Sequence, residues 1–564
     1  MSLRQIRKLR KELEKDSSEP ESPPKVTITS RPPRFSFNML NDDDSDETSS
    51  SESESSDVSN PSSDDIVSED SVDSQPSEDS DWEKLLEGEC EFAEEKGTLA
   101  GNTFDDKRHF LSSSIQDFRC KEIGGAPGNA RFKKSLLKSN NRYWLCPGVS
   151  TRELMSLRAL CLRQLRIDVD STHERETFLL YLNDSYREVD EICHVAVNSQ
   201  DFELFRRLLE SHPFHLGILT RASSINTISN NHEEAFKHLY LGVRMIQTVL
   251  PSKFSLDHLN SSGLPNVWMP SKLEDNIVIY RLLLLYMISL ERQGQWSVAL
   301  AICKLLIAMD FPEDTCHGIL HVDLYILNHE KDPNSIPRFI FNYCKQIEYT
   351  LPPLHLFLPN FAFSLPLQLF LHNTIDEEVP ILEQERLLEI KKLLKKTLLL
   401  VEDATGVSFS PKTEFEEYLE LLKDLGVYAP YLFLLRSLLT FPQFIVRMAE
   451  KHTSNLELRS IASQDFFSVW NDYEDSDFDS QLVRCYITKS GDLWTGKNGS
   501  FLCNTALLLV ELLNDPDCKS ALESFQALWS AYMDEVDLPE YLFQVSATEF
   551  DLSTYSLPMQ LEIA

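Results

Sequence analysis

The sequence predicts an all-α protein: a tetratricopeptide-like helical-repeat domain behind a long, disordered, acidic N-terminal region. Three observations predict it. Residues Asn276–Leu327 hold three apolar helices in close succession. The spacing of a turn and its small residues in that block recurs upstream. Residues 41–95 carry twenty-two Asp/Glu against one Lys, so −21 of the total charge of −35 sits in one tenth of the chain.

Residues Ile277–Leu290 are apolar on nearly every side, broken mainly by Arg281 and Ser289. A helix of that composition must be enclosed by other helices. Ser271 with Glu274 three residues on, just after Pro270, is a capping-box pattern that starts it. Gly294 then turns the chain. Trp296, Ala299, Cys303 and Leu306 follow with the spacing of a tetratricopeptide second helix: an aromatic wedge, then small residues where two helices touch. Pro312 closes the unit. His232, Ala235, Leu239 and Gly242 repeat that spacing. Ala235 and Ala299 lie 64 residues apart, close to two repeats of roughly 34 residues.

Taken in order, five regions emerge. Residues 1–15 form a basic helix, with Arg4, Arg7, Lys8, Arg10 and Lys11 around Leu3, Ile6, Leu9 and Leu13. So short a helix is marginal in water and folds on a partner; a polyanion such as ribosomal RNA suits its charge, and a nuclear-import signal is the rival reading. Residues 16–80 are Ser, Asp, Glu and Pro with few aromatics, a disordered leader. Phe35, Phe37 and Leu40 could anchor a short linear motif, and Ser49 and Ser51 precede acids as acidophilic kinases require. Residues 81–149 form a mixed linker. In it Arg131, Lys133, Lys134, Lys138 and Arg142 interleave with Phe132, Tyr143 and Trp144, either to contact RNA or to strap the linker to the domain by its aromatics.

Residues 150–452 are the helical-repeat domain. Arg152–Arg166 and Glu174–Val197 are its first expected helices, and Phe202, Phe205, Leu208 and Leu209 face inward from the next. Asn231 and Glu234 cap a helix carrying Ala235, Leu239 and Val243. Trp268 anchors the long loop Pro251–Pro270. Pro359 and Pro366 bracket alternating aromatics, with Pro366 in the first turn of the helix that follows. Glu383–Leu400 is amphipathic, its Lys391, Lys392, Lys395 and Lys396 on the wet side. Thr413 and Glu416 cap a helix that Gly426 ends, and Pro430–Thr440 is a buried helix. Residues 453–564 are a mainly helical extension: a short strand over Leu482–Thr488, a turn at Ser490-Gly491-Asp492, then helices over Ala506–Leu513 and Ala521–Tyr532.

The acidic balance excludes a non-specific nucleic-acid coat. Eleven cysteines are scattered without a C-x-x-C pair, which reads as small buried hydrophobes in a reducing compartment. The charged N-terminus is no secretory signal, and Leu282–Leu290 is too short to span a bilayer. The expectation is an intracellular protein without a membrane segment. Chemistry is sparse: there is no phosphate loop, GxSxG or HExxH. His317 and His321, four apart on an expected helix beside Cys316, lack further ligands at a zinc-like spacing, so no metal or other cofactor is expected. His212 and His215 flank Pro213 in a turn. Asp310, Glu313 and Asp314 sit at a helix junction as caps rather than general acids. Catalytic residues: none are expected.

The chain resembles the family known as transcription factor 25, or the ribosome quality control complex subunit. The resemblance rests on Leu290-Glu291-Arg292-Gln293-Gly294, Ala299-Leu300, Cys303-Lys304-Leu305 and Asp310-Phe311-Pro312-Glu313-Asp314. Pro359-Asn360-Phe361-Ala362-Phe363-Ser364-Leu365-Pro366 is its most specific part. Ser211-His212-Pro213-Phe214-His215 and Arg7-Lys8-Leu9-Arg10 before an acidic tract support it. It covers roughly residues 140–450; the family's long Lys-rich segment after the acidic tract is much reduced. The resemblance implies a non-enzymatic, ribosome-associated scaffold bound to the large ribosomal subunit. It would act with a listerin-type ubiquitin ligase, a tRNA-binding quality-control factor, an AAA-type unfoldase and ubiquitin in ubiquitin-dependent degradation of stalled chains. That role places it in the cytoplasm, with the nucleus as a second location. A nuclear transcription regulator and a scaffold of an unrelated assembly are the alternatives.

Overall fold

The computed structural model describes residues 109–119, 144–147, 151–172, 175–260, 263–348, 351, 354–373, 388–394, 415–471, 478–535, 537–553 and 556–562. The basic helix expected at 1–15 and the expected acidic leader therefore lie outside the described residues. One hydrophobic core runs through the rest, from Leu111 to Leu561.

The first surprise is a hairpin. Helix α1 (Thr151–Cys161) stops short of the expected Arg166, and β1 (Leu165–Asp170) pairs antiparallel with β2 (Thr177–Leu182), Leu165 opposite Leu182. Buried Leu165 and Ile167 alternate with exposed Arg166, and Phe178 and Leu180 are buried on β2, the period of two that a half-buried strand requires. The helix expected over Glu174–Val197 is thus β2 followed by α2 (Asp184–Asn198), whose N-cap Asn183 accepts the Tyr186 N–H. The free edge of β2 is sealed locally. Phe178 N donates to the Trp268 carbonyl, Leu180 N to Asn276 Oδ1 at 2.8 Å and Leu182 N to Asp275, so no open strand edge is offered for pairing on that side.

Helices then follow in hairpin order: α3 (Phe202–Ser211), α4 (Leu216–Ile228), α5 (His232–Val249), α6 (Glu274–Arg292), α7 (Trp296–Asp310), α8 (Val322–His329) and α9 (Ser335–Gln346). From α4 to α8 each helix packs on the one before it. Asn231 caps α5 through the Glu234 N–H, and Gly294 makes its turn at φ +66°. The expected small residues mark the crossings. A Cβ on Gly242 would stand 2.7 Å from Leu282 Cδ1 of α6, while Ala299 and Cys303 are fully buried. Two strand segments, β3 (Ser255–Leu259) and β4 (Pro265–Asn266), occupy the long loop; Trp268 anchors it beneath the Arg175 guanidinium. Ser271 does not cap α6, whose N-cap is Leu273 without a side-chain bond. Its N–H and hydroxyl are engaged by Asp310 and Thr315 instead.

The C-terminal half continues with α10 (Leu354–Phe357), α11 (Pro359–Asn373), α12 (Phe415–Leu425), α13 (Ala429–Thr440), α14 (Gln443–Lys451), α15 (Leu456–Ala462), α16 (Asp465–Ser468), α17 (Phe478–Ser490), α18 (Lys497–Asn514), α19 (Pro516–Glu535) and α20 (Met559–Glu562). Gly426 ends α12 at φ +54°; Thr413 lies outside the described residues. The strand expected over Leu482–Thr488 is instead the middle of α17, and the turn after it is one of 3-10 helix (Gly491–Trp494). Leu482, Val483, Cys485, Tyr486 and Ile487 are all buried there, so packing overrides the β-propensity of the segment. Lys391 is not merely solvated: it pairs with Asp515, while Lys392 bonds Glu389 at 3.1 Å. Lys395 and Lys396 lie outside the described residues. Among the described residues no single helix is long and apolar enough to cross a membrane.

Pro366 lies inside α11, not in its first turn. Lacking an N–H, it leaves the Ala362 carbonyl without its helical donor. The Ser437 hydroxyl of α13 fills that place at 2.6 Å, with the Phe433 carbonyl 2.9 Å away on its own helix. Ser437→Ala is expected to cost about 1–3 kcal/mol, the penalty of a stranded buried acceptor. In a Pro366→Ala background the cost is expected to fall, because the restored N–H serves Ala362. A double-mutant cycle in urea reads the difference; equal costs in both backgrounds would refute the coupling.

Candidate functional site

Several of the residues that carry the family resemblance, among them Glu291, Asn360 and Ser364, belong to a buried polar seam that joins the helical stack to later helices. Glu291, at the end of α6, is its centre. One carboxylate oxygen accepts from the Tyr325 hydroxyl of α8 at 2.6 Å and from the Lys489 ammonium at 2.9 Å. Lys489 comes from the last turn of α17, where a cation suits the helix dipole, and lies 5.0 Å from the Tyr325 ring centroid. The side chains of Lys489 and Glu291 are only 3% and 5% exposed, so each charge depends on the other. Burial pushes the Tyr325 hydroxyl well above its ordinary pKa, which keeps it a donor.

A second station sits two residues earlier on α8. Asp323 accepts from Asn360 Nδ2 at 3.0 Å and from the Ser364 hydroxyl at 2.5 Å, both on α11. Asn360 also donates to the Ile319 carbonyl. Burial raises the Asp323 pKa, and the bonds from Asn360 and Ser364 oppose that rise. Both polar side chains of the 359–366 motif, Asn360 and Ser364, are therefore hydrogen-bond fixtures, while Phe361, Ala362, Phe363 and Leu365 between and beside them are buried in the core.

Of the three acids at the α7–α8 junction, Asp310 and Asp314 accept backbone N–H groups as expected, while Glu313 is no cap and pairs on the surface with Lys272 at 2.9 Å. Asp310 accepts from Ser271 N and Thr315 N, each at 3.1 Å. Asp314 accepts from Gly318 N at 2.9 Å and Ile319 N at 2.8 Å; burial lifts its pKa to about 7. The approach at Gly318 is close, since a Cβ there would meet Ile307 Cγ1 at 2.7 Å.

The paired histidines do not share a helix. His317 stands in the left-handed region at φ +51° before a short 3-10 turn, and His321 joins that turn to α8. His317 Nδ1 meets Glu549 Oε2 at 2.7 Å, and the other Glu549 oxygen accepts the Ser546 N–H in a capping box. His321 stacks on Phe550, ring centroids 4.7 Å apart; burial drives its pKa well below the ordinary range and holds it neutral. Upstream, His215 caps α4 and stacks on Tyr186 at 3.7 Å. No group of three or more His, Cys, Asp or Glu suited to a metal ion occurs among the described residues.

Chemically, the seam locks elements together. Its carboxylates are spent on internal donors. Elsewhere, a surface groove of about 320 Å³ is lined by Leu327, Glu330, Lys331, Gln368, Leu371 and His372. Another, of about 240 Å³, brings His452 near Cys503, but burial pushes that thiol up to about 12 and leaves it no nucleophile. All nine described cysteines are buried and unbridged.

The expected RNA-contact residues Arg4, Arg7, Lys8, Arg10, Lys11, Arg131, Lys133, Lys134, Lys138 and Arg142 all lie outside the described residues. Trp144, grouped with them by sequence, is buried and stacked on Phe254 at 6.1 Å, so it holds the linker to the domain and is not free to stack on a base. Sequence reasoning missed Lys489 and Glu549. The one signal for Lys489 was a cation at the end of the largely apolar run Leu482–Ile487, which Arg484 also interrupts.

Residues 178–558 match the model of the family described as transcriptional repressor TCF25. Ribosome quality control complex subunit 1 of Schizosaccharomyces pombe is 28% identical over 147 residues, which is 26% of this chain and 21% of that protein. Ribosome quality control complex subunit TCF25 of Mus musculus is 26% identical over 228 residues, 40% of this chain and 31% of that one. The matched segments thus span less than a third of either relative. No solved structure matches. The family model covers well over half of the sequence and takes in every station of the polar seam, and the chain therefore belongs to the Tcf25 family.

Proposed function

We propose that this chain is a non-enzymatic subunit of the ribosome quality control complex. It acts on the large ribosomal subunit and promotes the ubiquitination and extraction of stalled nascent chains for degradation. The observation that carries the reading is the family match over residues 178–558, with two relatives named as subunits of that complex. The seam supports a scaffold: its charged groups are consumed in holding helices together, which makes a rigid platform and needs no cofactor. The partners follow from the complex: the large ribosomal subunit, a listerin-type ubiquitin ligase, a tRNA-binding quality-control factor, an AAA-type unfoldase and ubiquitin. Residues 150–452 form the platform and 453–564 the extension that braces it. The basic residues at 4–11 and 131–142 supply the electrostatic contact with ribosomal RNA. The working compartment is the cytoplasm, with access to the nucleus.

Sedimentation of cell extract on a sucrose gradient tests this. The chain is expected to co-migrate with large subunits, and deletion of residues 1–15 is expected to release it. The family description as a transcriptional repressor favours a second reading, a nuclear regulator. Chromatin association without ribosome association would select that reading and reject the first.

A further inference from the structure

Two neighbouring helices present rows of side chains that the fold leaves uncovered. On α1, Leu154, Leu157 and Cys161 are buried. The far side carries Arg152, Met155, Ala159, Leu162 and Arg163, all exposed. Leu162 continues the helical row past Cys161, because its N–H still donates to the Arg158 carbonyl at 2.9 Å. On α2, Tyr186, Cys193 and Ala196 are buried, and Glu188, Glu191, Ile192 and Val195 form an exposed row on the far side, at the spacing of one helical face. Met155, Leu162, Ile192, Val195 and the adjacent Tyr181 of β2 are each 46–61% exposed. The end of α1 meets the start of α2: Asn183, the N-cap of α2, donates through Nδ2 to the Arg163 carbonyl at 2.6 Å and through its N–H to the Gln164 carbonyl at 3.2 Å.

The two rows carry charges of opposite sign. Arg152 and Arg163 flank the apolar residues of α1, and Glu188 and Glu191 lead those of α2. None of these four enters an ion pair among the described residues. Neighbouring charges on the same helices do: Glu153 pairs with Arg244, Arg187 with Asp275 at 2.9 Å and Asp190 with Arg221 at 2.6 Å. Scattered exposed apolar residues need no explanation, but five around one corner with charged rims have the make-up of a contact surface. RNA fits it poorly: phosphates are repelled by Glu188 and Glu191 and give the apolar side chains nothing to pack on.

We propose that this corner is a self-association surface whose occupant is a second copy of this chain. A two-fold axis at the corner lays α1 of each copy along α2 of the other. The arginine-flanked row then meets the glutamate-led row twice, as an isologous interface requires. The lengths suit this: Arg152 to Arg163 spans about 16 Å along a helix and Glu188 to Val195 about 10 Å, so the acidic row fits within the basic one. Complementary charge steers the encounter and fixes the register, and the apolar side chains, withdrawn from water, supply the affinity. Nothing in this arrangement depends on the ribosomal role.

Sedimentation equilibrium of the full chain tests the surface, at up to about 100 μM, above the micromolar constants of weak specific interfaces. A particle of twice the chain mass is expected. Arg152→Glu with Arg163→Glu sets like charges face to face and is expected to weaken the dimer at least about a hundredfold, and Glu188→Arg with Glu191→Arg to do the same. All four substitutions in one chain exchange the signs of both rows and are expected to restore the dimer, a recovery that a folding defect would not show. A native chain that stays monomeric overturns the proposal, even if the surface binds RNA or another protein. So does a dimer that either charge reversal leaves unchanged, or a fourfold variant that melts like the native chain and stays monomeric. Should the fourfold variant fail to fold, Val195→Ser decides: weaker association supports the surface and unchanged association rejects it.

Discussion

Lys489→Ala is expected to destabilise the protein by about 3–5 kcal/mol, the cost of stranding a buried charge. The substitution leaves the Glu291 carboxylate in the core with only the Tyr325 hydroxyl, 2.6 Å away, to stabilise it. Glu291→Ala strands the ammonium instead and is expected to cost as much. Replacing both by apolar residues of similar size removes both charges, and well-packed replacements of this kind are often neutral. Glu291→Leu with Lys489→Met is therefore expected to be more stable than either alanine variant. Urea denaturation of the full chain reads the shift as a lower midpoint at unchanged slope. The loss is expected to register first in the C-terminal helices, because Lys489 ties α17 to the end of α6. Limited proteolysis after Tyr486 would report it. A Lys489→Ala variant within about 1 kcal/mol of the native chain, the range of an exposed pair, would mean that water reaches the seam.

What the sequence disclosed, and what it did not, divides along the range of the interactions. The helices of Asn276–Leu327 were legible because their composition alone demands enclosure. So were the Asn231 cap and the turns at Gly294 and Gly426, each set by a few neighbouring residues. The hairpin Leu165–Leu182 was locally legible too, in the alternation of Leu165 and Ile167 with polar residues, yet the leucines of Arg152–Arg166 suggested that one helix continued. Leu482–Thr488 failed for the opposite reason. Its local preference is for strand, and only the surrounding core makes it a helix. Pro366 inside α11 depends on the Ser437 hydroxyl, 71 positions on in the chain. The Glu291–Lys489 and His317–Glu549 pairs span 198 and 232 residues, and no spacing rule reaches that far. The scaffold was therefore readable, but the polar seam that fixes it was not. The basic segments, clearest of all as motifs, must be judged by sedimentation.

Phe363→Ala is the second substitution expected to have a large effect, at about 3–5 kcal/mol. Phe363 is fully buried in the middle of α11. Its ring stacks on Phe444 at 3.9 Å between centroids, with Tyr486 at 5.7 Å, Trp494 at 6.2 Å and Phe441 at 6.3 Å. Those partners come from α14, α17, the following 3-10 turn and the end of α13. One ring thus joins the most specific stretch of the family resemblance to four later segments, and its removal opens a cavity bounded by several elements at once. Phe363→Leu keeps most of the volume and is expected to cost less than half as much. The pair of variants also separates two meanings of the aromatic run. If the run is structural, the ribosome association proposed above falls in proportion to stability, and the leucine variant keeps both. If Phe363→Ala left stability intact but abolished ribosome association, the ring would have to leave the core to meet a partner. Its burial among four aromatic neighbours argues that it does not.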